Sequence, residues 1–278
     1  MSLPVGEVTS LRPEGRIVSA HIEATIESRS TQALAIAVAD GYSCDEQFDA
    51  SVDGRPLPVE VVVTAHDGRV HLLRDAPPGR LVVDYQARVT GAAPAASVDD
   101  SQWLRYLRPS RYCESDRIGP FARSEFAGLS TEGLIAAVPS WVAARTRYVP
   151  GASRPTDGAV ATLMAGEGVC RDFAHLTAAL LRANDVAARV VSVYAPGLSP
   201  MDFHAVTEAL VAGRWVVVDS TGLAPRQSLV RIATGADAAD TAFLSTIGGR
   251  LDLTGMEVTA VADPDLPIDD LSMAEELR

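Results

Sequence analysis

Apolar and polar residues alternate cleanly near the start of the chain. Between residues 17 and 27, Val18, Ala20, Ile22, Ala24 and Ile26 fall on one side, and Ser19, His21, Glu23, Thr25 and Glu27 on the other. Successive side chains of a strand point to opposite faces, so this period predicts a half-buried β-strand. Leu34, Ile36 and Val38 repeat it, as do Leu81, Val83, Tyr85, Ala87 and Val89. Asp53-Gly54 and Asp67-Gly68 read as turns between further strands. Residues 1–95 are therefore expected to form an antiparallel β domain, a small sandwich.

The stretch GAAPAAS at 91–97 reads as an exposed connection, and beyond it the pattern changes. Helices are predicted over 119–127 and 131–148, with Pro139 at a break or a new start, and over 157–165, closed by Gly166-Glu167-Gly168. The strongest helical pattern is VCRDFAHLTAALLRANDV, in which Phe173, Leu176, Thr177, Leu180 and Leu181 share one face. Three β segments follow, AARVVSVYA, HAVTEALVA and RWVVVDS, with a turn near Ala212-Gly213 and a last strand over Met256–Ala262. The fold class is α+β: an all-β N-terminal domain, a second domain over 98–265, and an acidic tail at 266–278, expected at the surface or partly disordered.

Composition narrows the function. With 47% hydrophobic residues among 278, a sizeable core can be buried. A net charge of −12 argues against nucleic acid and against an anionic membrane as partner, since both demand a basic surface. No apolar run reaches the roughly 18 residues of a membrane span, and the N-terminus shows no leader pattern. The expected location is a reducing cytoplasm, where a thiol stays free. Cys44, Cys113 and Cys170 are odd in number and widely spaced, unlike a disulfide framework or a zinc site. No phosphate loop occurs, and Asp99-Asp100 and Asp269-Asp270 lack the spacing of a calcium loop, so no cofactor or metal is expected. All 24 basic residues are Arg, which leaves the N-terminus as the one primary amine.

Cys170 is the residue with a chemical context. It opens the strongest helix, two residues after Gly168. Unpaired N–H groups and partial positive charge at a helix start favour thiolate, and the same N–H groups could serve an oxyanion. A single Cys on an apolar helix is more often a core residue, and Cys44 and Cys113 are read that way. A thiol nucleophile needs a base. His21, His66 and His71 fall in the β domain and are expected to be solvated. His175 lies five residues along the Cys170 helix, about 140° around its axis, which favours a structural role. His204 opens the next strand but one, and Asp219 interrupts the apolar run VVVDS on the strand after it. A two-residue turn at Ala212-Gly213 sets His204 opposite Thr221 and Asp219 diagonal to it on the same face. A four-residue turn sets His204 and Asp219 directly opposite; a three-residue turn separates them. Arg171 is read as a surface residue and Asp172 as a complement to the helix dipole. Trp103, Trp141 and Trp215 are read as packing.

At this point the chain resembles a family. GEGVCRDFAHLTAALLRANDVAARVVSVYA is similar to the nucleophile helix and following strand of transglutaminase-like cysteine proteases, and HAVTEALVAGRWVVVDST to their His-to-Asp block. YLRPSRYC at 106–113 and the N-terminal β region resemble parts of the bacterial members. The resemblance implies a papain-like core and a triad with Cys170 as nucleophile, His204 as base and Asp219 as the orienting acid. It implies a peptide or protein substrate. Val206 stands where the family often has Trp, and Ser220 where it often has Pro, which alters the groove and no triad atom. Three functions follow from these residues: hydrolysis of an amide through a thioester, transfer of the acyl group to an amine, or a non-catalytic interaction domain on the same scaffold.

Overall fold

The alternation near the N-terminus is realised as a long strand, β1 (Gly15–Ile26), in a computed structural model that describes residues 12–271 and 273–278. It is followed by β2 (Ser30–Leu34), β3 (Ser43–Val52), β4 (Arg55–Pro56), β5 (Glu60–Val63), β6 (Arg69–Ala76) and β7 (Gly79–Thr90). The inward residues of β1 and β7, from Val18 to Ile26 and from Leu81 to Val89, are buried in one core with Leu34, Val52 and Leu73. Two sheets close over that core, with orders β15-β1-β7-β3-β4 and β14-β2-β6-β5, where β14 (Leu244–Ile247) and β15 (Leu251–Asp263) come from much later in the chain.

The second part begins with α1 (Asp100–Leu107), α2 (Ser115–Glu125), α3 (Thr131–Arg145), β8 (Arg147–Tyr148), α4 (Ala159–Ala165) and β9 (Glu167–Gly168). Helix α1 is only eight residues long and is not among the predicted helices; Asp99 caps it by accepting from the Gln102 N–H at 2.8 Å. Helix α3 runs through Pro139 without a break. Then come α5 (Cys170–Ala183), β10 (Ala188–Tyr194), β11 (Phe203–Val211), β12 (Arg214–Val218), β13 (Val230–Gly235), α6 (Ala238–Thr241), β14 (Leu244–Ile247) and β15 (Leu251–Asp263). Strands 10–13 form an antiparallel sheet of order β12-β11-β10-β13. Helix α5 packs on it, and Leu176, Leu180 and Leu181 join Val190, Val216 and Val218 in a second core.

The partition of the chain differs from the expected one. The last two strands of the 98–265 stretch return to the sandwich: β14 pairs with β2, and β15 pairs with β1 from Gly15↔Asp263 to Ile26↔Leu251. Strand β1 has two backbone edges to satisfy; β7 takes one and β15 the other. The two parts also share core. Tyr194, Val230 and Ile232 of the second sheet lie in the sandwich core, and the Tyr194 hydroxyl donates to the Ile36 carbonyl at 2.8 Å. The tail lies at the surface around Leu266, Ile268 and Leu271, as expected, but it is anchored at Asp269 and packed at its end. Leu277 is buried, the Val217 N–H donates to the Glu275 carbonyl at 2.7 Å, and Arg226 grips Asp269. Short acidic segments read as solvated unless a buried partner such as Arg226 exists, and that partner is distant in sequence.

Candidate active site

Cys170 is the first residue of α5 and is half-buried. Its approach is built by a left-handed Gly166 that ends α4 at φ +65°, then by β9, which pairs in parallel with β8. The Val149 N–H donates to the Gly168 carbonyl at 2.9 Å. Gly168 is required by a close approach: a Cβ there would lie 2.6 Å from the Asp172 Cβ. Asp172, fully buried, accepts from the Val169 N–H at 2.8 Å and from Arg171 Nη2 at 2.9 Å, and Ser153 donates to it. Asp172 thus caps the helix and, through Arg171 and Ser153, ties the preceding loop to the helix start. Arg171 is only partly at the surface.

The opposite wall comes from the β11–β12 hairpin. Ala212 and Gly213 have φ of +48° and +75°, the doubly left-handed pattern of a two-residue turn, and Val211 pairs with Arg214. Of the three possible registers, this is the one that sets His204 opposite Thr221. The Thr221 hydroxyl lies 3.3 Å from His204 Nε2 and donates to Asp219 Oδ1 at 2.8 Å; the Thr221 N–H donates to the same oxygen at 2.8 Å. Asp219 Oδ2 faces His204 Nε2 at 3.9 Å, an ion-pair separation rather than a hydrogen bond. With Nε2 turned this way, the buried Nδ1, which has no hydrogen-bond partner among the described residues, is the ring nitrogen left for Cys170. Two more contacts hold α5 against the hairpin: Thr207 Oγ1 donates to the Ala174 carbonyl at 2.9 Å, and the Thr177 and Ser220 hydroxyls are 2.6 Å apart.

Electrostatics follow this arrangement. Burial opposes charge on His204, but the Asp219 carboxylate and the Cys170 sulfur beside the ring outweigh it and push the imidazole up to about 10. Burial would raise Asp219; His204 and the two Thr221 donors hold it below the usual carboxylate range. Tyr148, which no periodicity announces because β8 has only two residues, also reaches the site. Burial and the neighbouring Cys170 push its hydroxyl up to about 12, so it stays protonated, and its ring lies 6.0 Å from that of Phe173. Thr221 was visible in sequence only as a register position.

The other candidates lie elsewhere. His175 is fully buried, stacks on Tyr112 at 5.3 Å and accepts from the Ala238 N–H at 3.1 Å; burial lowers it to about 4. His66 and His71 are not solvated as expected. His71 is buried and stacked on Phe48 at 4.0 Å, and His66 is half-buried against Tyr106; burial lowers both to about 4. His21 is partly exposed, between Asp84 and Glu23. Burial pushes the Cys113 thiol up to about 12 and raises Cys44. Trp215 is buried, Trp141 packs on Phe121 and Phe126, and Trp103 is exposed. Among the described residues, no group of three or more His, Cys, Asp or Glu is disposed to hold a metal ion, and no helix is long and apolar enough to cross a membrane.

A thiol at a helix start, set against an imidazole and carboxylate on an antiparallel hairpin, defines a papain-like α+β scaffold. The transglutaminase-like superfamily model matches residues 128–220, which span α3 to the residue after Asp219. Over nearly the whole chain the protein is similar to a solved structure of a candidate cysteine protease from Cytophaga hutchinsonii. The TM-score is 0.85 and the identity 28%, covering 96% of this chain and 97% of that one. An uncharacterized protein of Mycobacterium leprae (strain TN) is 26% identical over 221 residues, 71% of this chain and 76% of its own. Residues 128–220 thus carry a transglutaminase-like domain, and the N-terminal sandwich is part of the architecture shared with the Cytophaga protein.

Proposed function

We propose that the protein is a thiol-dependent hydrolase of amide bonds in peptides or proteins, with Cys170, His204 and Asp219 as its catalytic residues. The observation that supports this most is the shared register of the hairpin, which brings His204 and Asp219 to one place beside the start of α5. The superfamily match is consistent with it.

In this reading the Cys170 thiolate attacks the amide carbonyl carbon, and the helix-start N–H groups receive the developing oxyanion. His204, protonated in the resting pair, passes its proton to the departing amine as the C–N bond breaks. A thioester remains on Cys170. Water then adds to it, His204 accepts the water proton, and the carboxylic acid leaves as the thiolate reforms. Asp219 orients the ring and supports its positive charge. Thr221 fixes the Asp219 oxygen that does not face His204.

The test is incubation of the enzyme with a peptide library and a labelled primary amine, with and without chelator, read by mass spectrometry. Hydrolysed peptide that requires Cys170 and is indifferent to chelator is expected. Predominant amine incorporation would replace this reading with acyl transfer, and absence of any Cys170-dependent product would favour a non-catalytic role.

A further inference from the structure

The hairpin that carries His204 and Asp219 has two faces. Thr207 and Ala209 of β11 and Val216 and Val218 of β12 turn toward α5. The Thr207 hydroxyl donates to the Ala174 carbonyl, and Ala209, Val216 and Val218 share the α5 core. Side chains alternate along a strand, so Val206 and Val217 point the other way, and His204 and Asp219 continue that second face. The core on the second face joins Val193, Val206, Val217 and Ala224 to Leu277 of the tail, which is 3% exposed. The side of the sheet that bears the imidazole and the carboxylate is therefore closed in part by the tail.

The tail also grips the chain on both sides of Asp219. Strand β11 lies between β10 and β12, but β12 is the edge of its sheet. The tail takes that edge: the Val217 N–H, two residues before Asp219, donates to the Glu275 carbonyl at 2.7 Å. Beyond Asp219 the chain turns at Gly222, φ +61°, and is caught again at Arg226. The Arg226 N–H and Nε donate to Asp269 Oδ2 at 3.0 and 2.9 Å, and Nη2 donates to Oδ1 at 2.8 Å. Gln227 Nε2 donates to Asp269 at 3.2 Å and to Glu275 at 3.1 Å. Burial would raise the Asp269 carboxyl; Arg226 holds it below the usual range. Between these grips the loop borders a cavity of about 290 Å³, enclosed by Asp219, Gly222, Leu223, Pro225, Asp269 and Leu271 among others. A segment beside a void lacks contact atoms on that side, so its anchors set its position.

We propose that residues 269–278 are a positioning element of the active site, with Asp269 and Leu277 as positioning residues that keep Asp219 facing His204. The two side chains are 3.9 Å apart, without a hydrogen bond of their own to fix the distance. Their separation is set by what holds the backbone on each side. His204 is carried by an inner strand. Asp219 follows an edge strand, and the Thr177–Ser220 contact ties its turn to α5 from one face only. The tail supplies the other face and the free edge. A shift of Asp219 away from the ring weakens its support of the imidazolium. Cys170 and Asp202, the other charged groups acting on His204, do not belong to the tail.

The experiment follows the His204 imidazole by NMR in the full chain, labelled at histidine, across pH, with thermal unfolding read alongside. In the parent the ring titrates at about 10. Asp269→Asn should lower that midpoint by about one unit or more, and Asp269→Glu should restore most of it. Leu277→Ala, which changes packing and no charge, serves as the second variant and should shift the midpoint the same way. Leu73→Ala opens a cavity in the sandwich core; it should lower the Tm and leave His204 where it is. A His204 midpoint unmoved by both tail variants in the folded protein, or moved equally by Leu73→Ala, overturns the proposal. A turnover arm rests on the thiol-hydrolase reading: Asp269→Asn should lower kcat about tenfold with KM little changed. Absence of Cys170-dependent turnover by the parent overturns that reading alone, since the titration decides the role of the tail without it.

Discussion

The β10–β11 pair carries two buried charge clusters built to opposite rules. At one end both oxygens of Glu208 accept from guanidinium groups, and the carboxylate is locked. At the other end Asp219 has one oxygen locked by Thr221, while its second faces His204 across 3.9 Å and His204 Nδ1 has no hydrogen-bond partner among the described residues. A network that satisfies every atom of its carboxylate has nothing left to exchange and acts as a structural tie. A pair left one atom short on each side can take and give a proton. On the proposed function, the same strands supply rigidity at one end and chemistry at the other.

The sharpest way to break this contrast is to remove the thiol. Cys170→Ala should abolish hydrolysis, a loss of about 10⁴-fold or more with folding intact, measured as turnover of a fluorogenic peptide beside a thermal melt. Residual turnover near the parent rate would show that the chemistry lies elsewhere. Next is Asp219→Asn, which keeps the shape but disturbs the ring. A fall of about 10³–10⁴ in kcat is expected, with KM little changed. A change confined to KM would mean that Asp219 contacts substrate instead of orienting His204.

At the locked end the readout is stability. Glu208→Gln leaves two buried guanidinium groups without their carboxylate and should cost about 3–5 kcal/mol, read from the urea midpoint. If the midpoint hardly moves, the network is not the tie described above.

The pH dependence separates the two kinds of histidine. His204 titrates at about 10 in the folded chain, above its unfolded value near 6.5. Its stabilising contribution is complete below pH 6.5 and is lost as the pH rises towards 10. His71 and His175 are held at about 4, below 6.5, so theirs is present above pH 6.5 and lost as the pH falls towards 4. Urea midpoints across this range should decline on both sides of neutrality, and His71→Phe should flatten the acid side alone. The smallest effect separates thiols. Cys170 should react with iodoacetamide at pH 7 well before Cys113, which is buried with its thiol pushed up to about 12. His204→Ala should slow the Cys170 reaction. Equal labelling of the two thiols would contradict the site's geometry.

Much of this protein is written locally. The period of two in β1 and β7 and the helical face of α5 appear in the chain because each element must hide one side from water, a demand that acts over a few residues. The Ala212-Gly213 turn is equally local, and it settles the register that puts Asp219 on the face of His204. Cys170 at a glycine-led helix start could be singled out for the same reason. What tertiary structure decided is long-range. Strand β15 completes the edge of β1 across more than half the chain, and Tyr148 reaches Cys170 through a two-residue pairing. His71 is buried by Phe48, and Arg189 finds its place between Glu208 and Trp215. Polar groups and strand edges have no preferred partner within their own segment. Their partners are chosen only when distant backbone and side chains meet with the geometry that satisfies both.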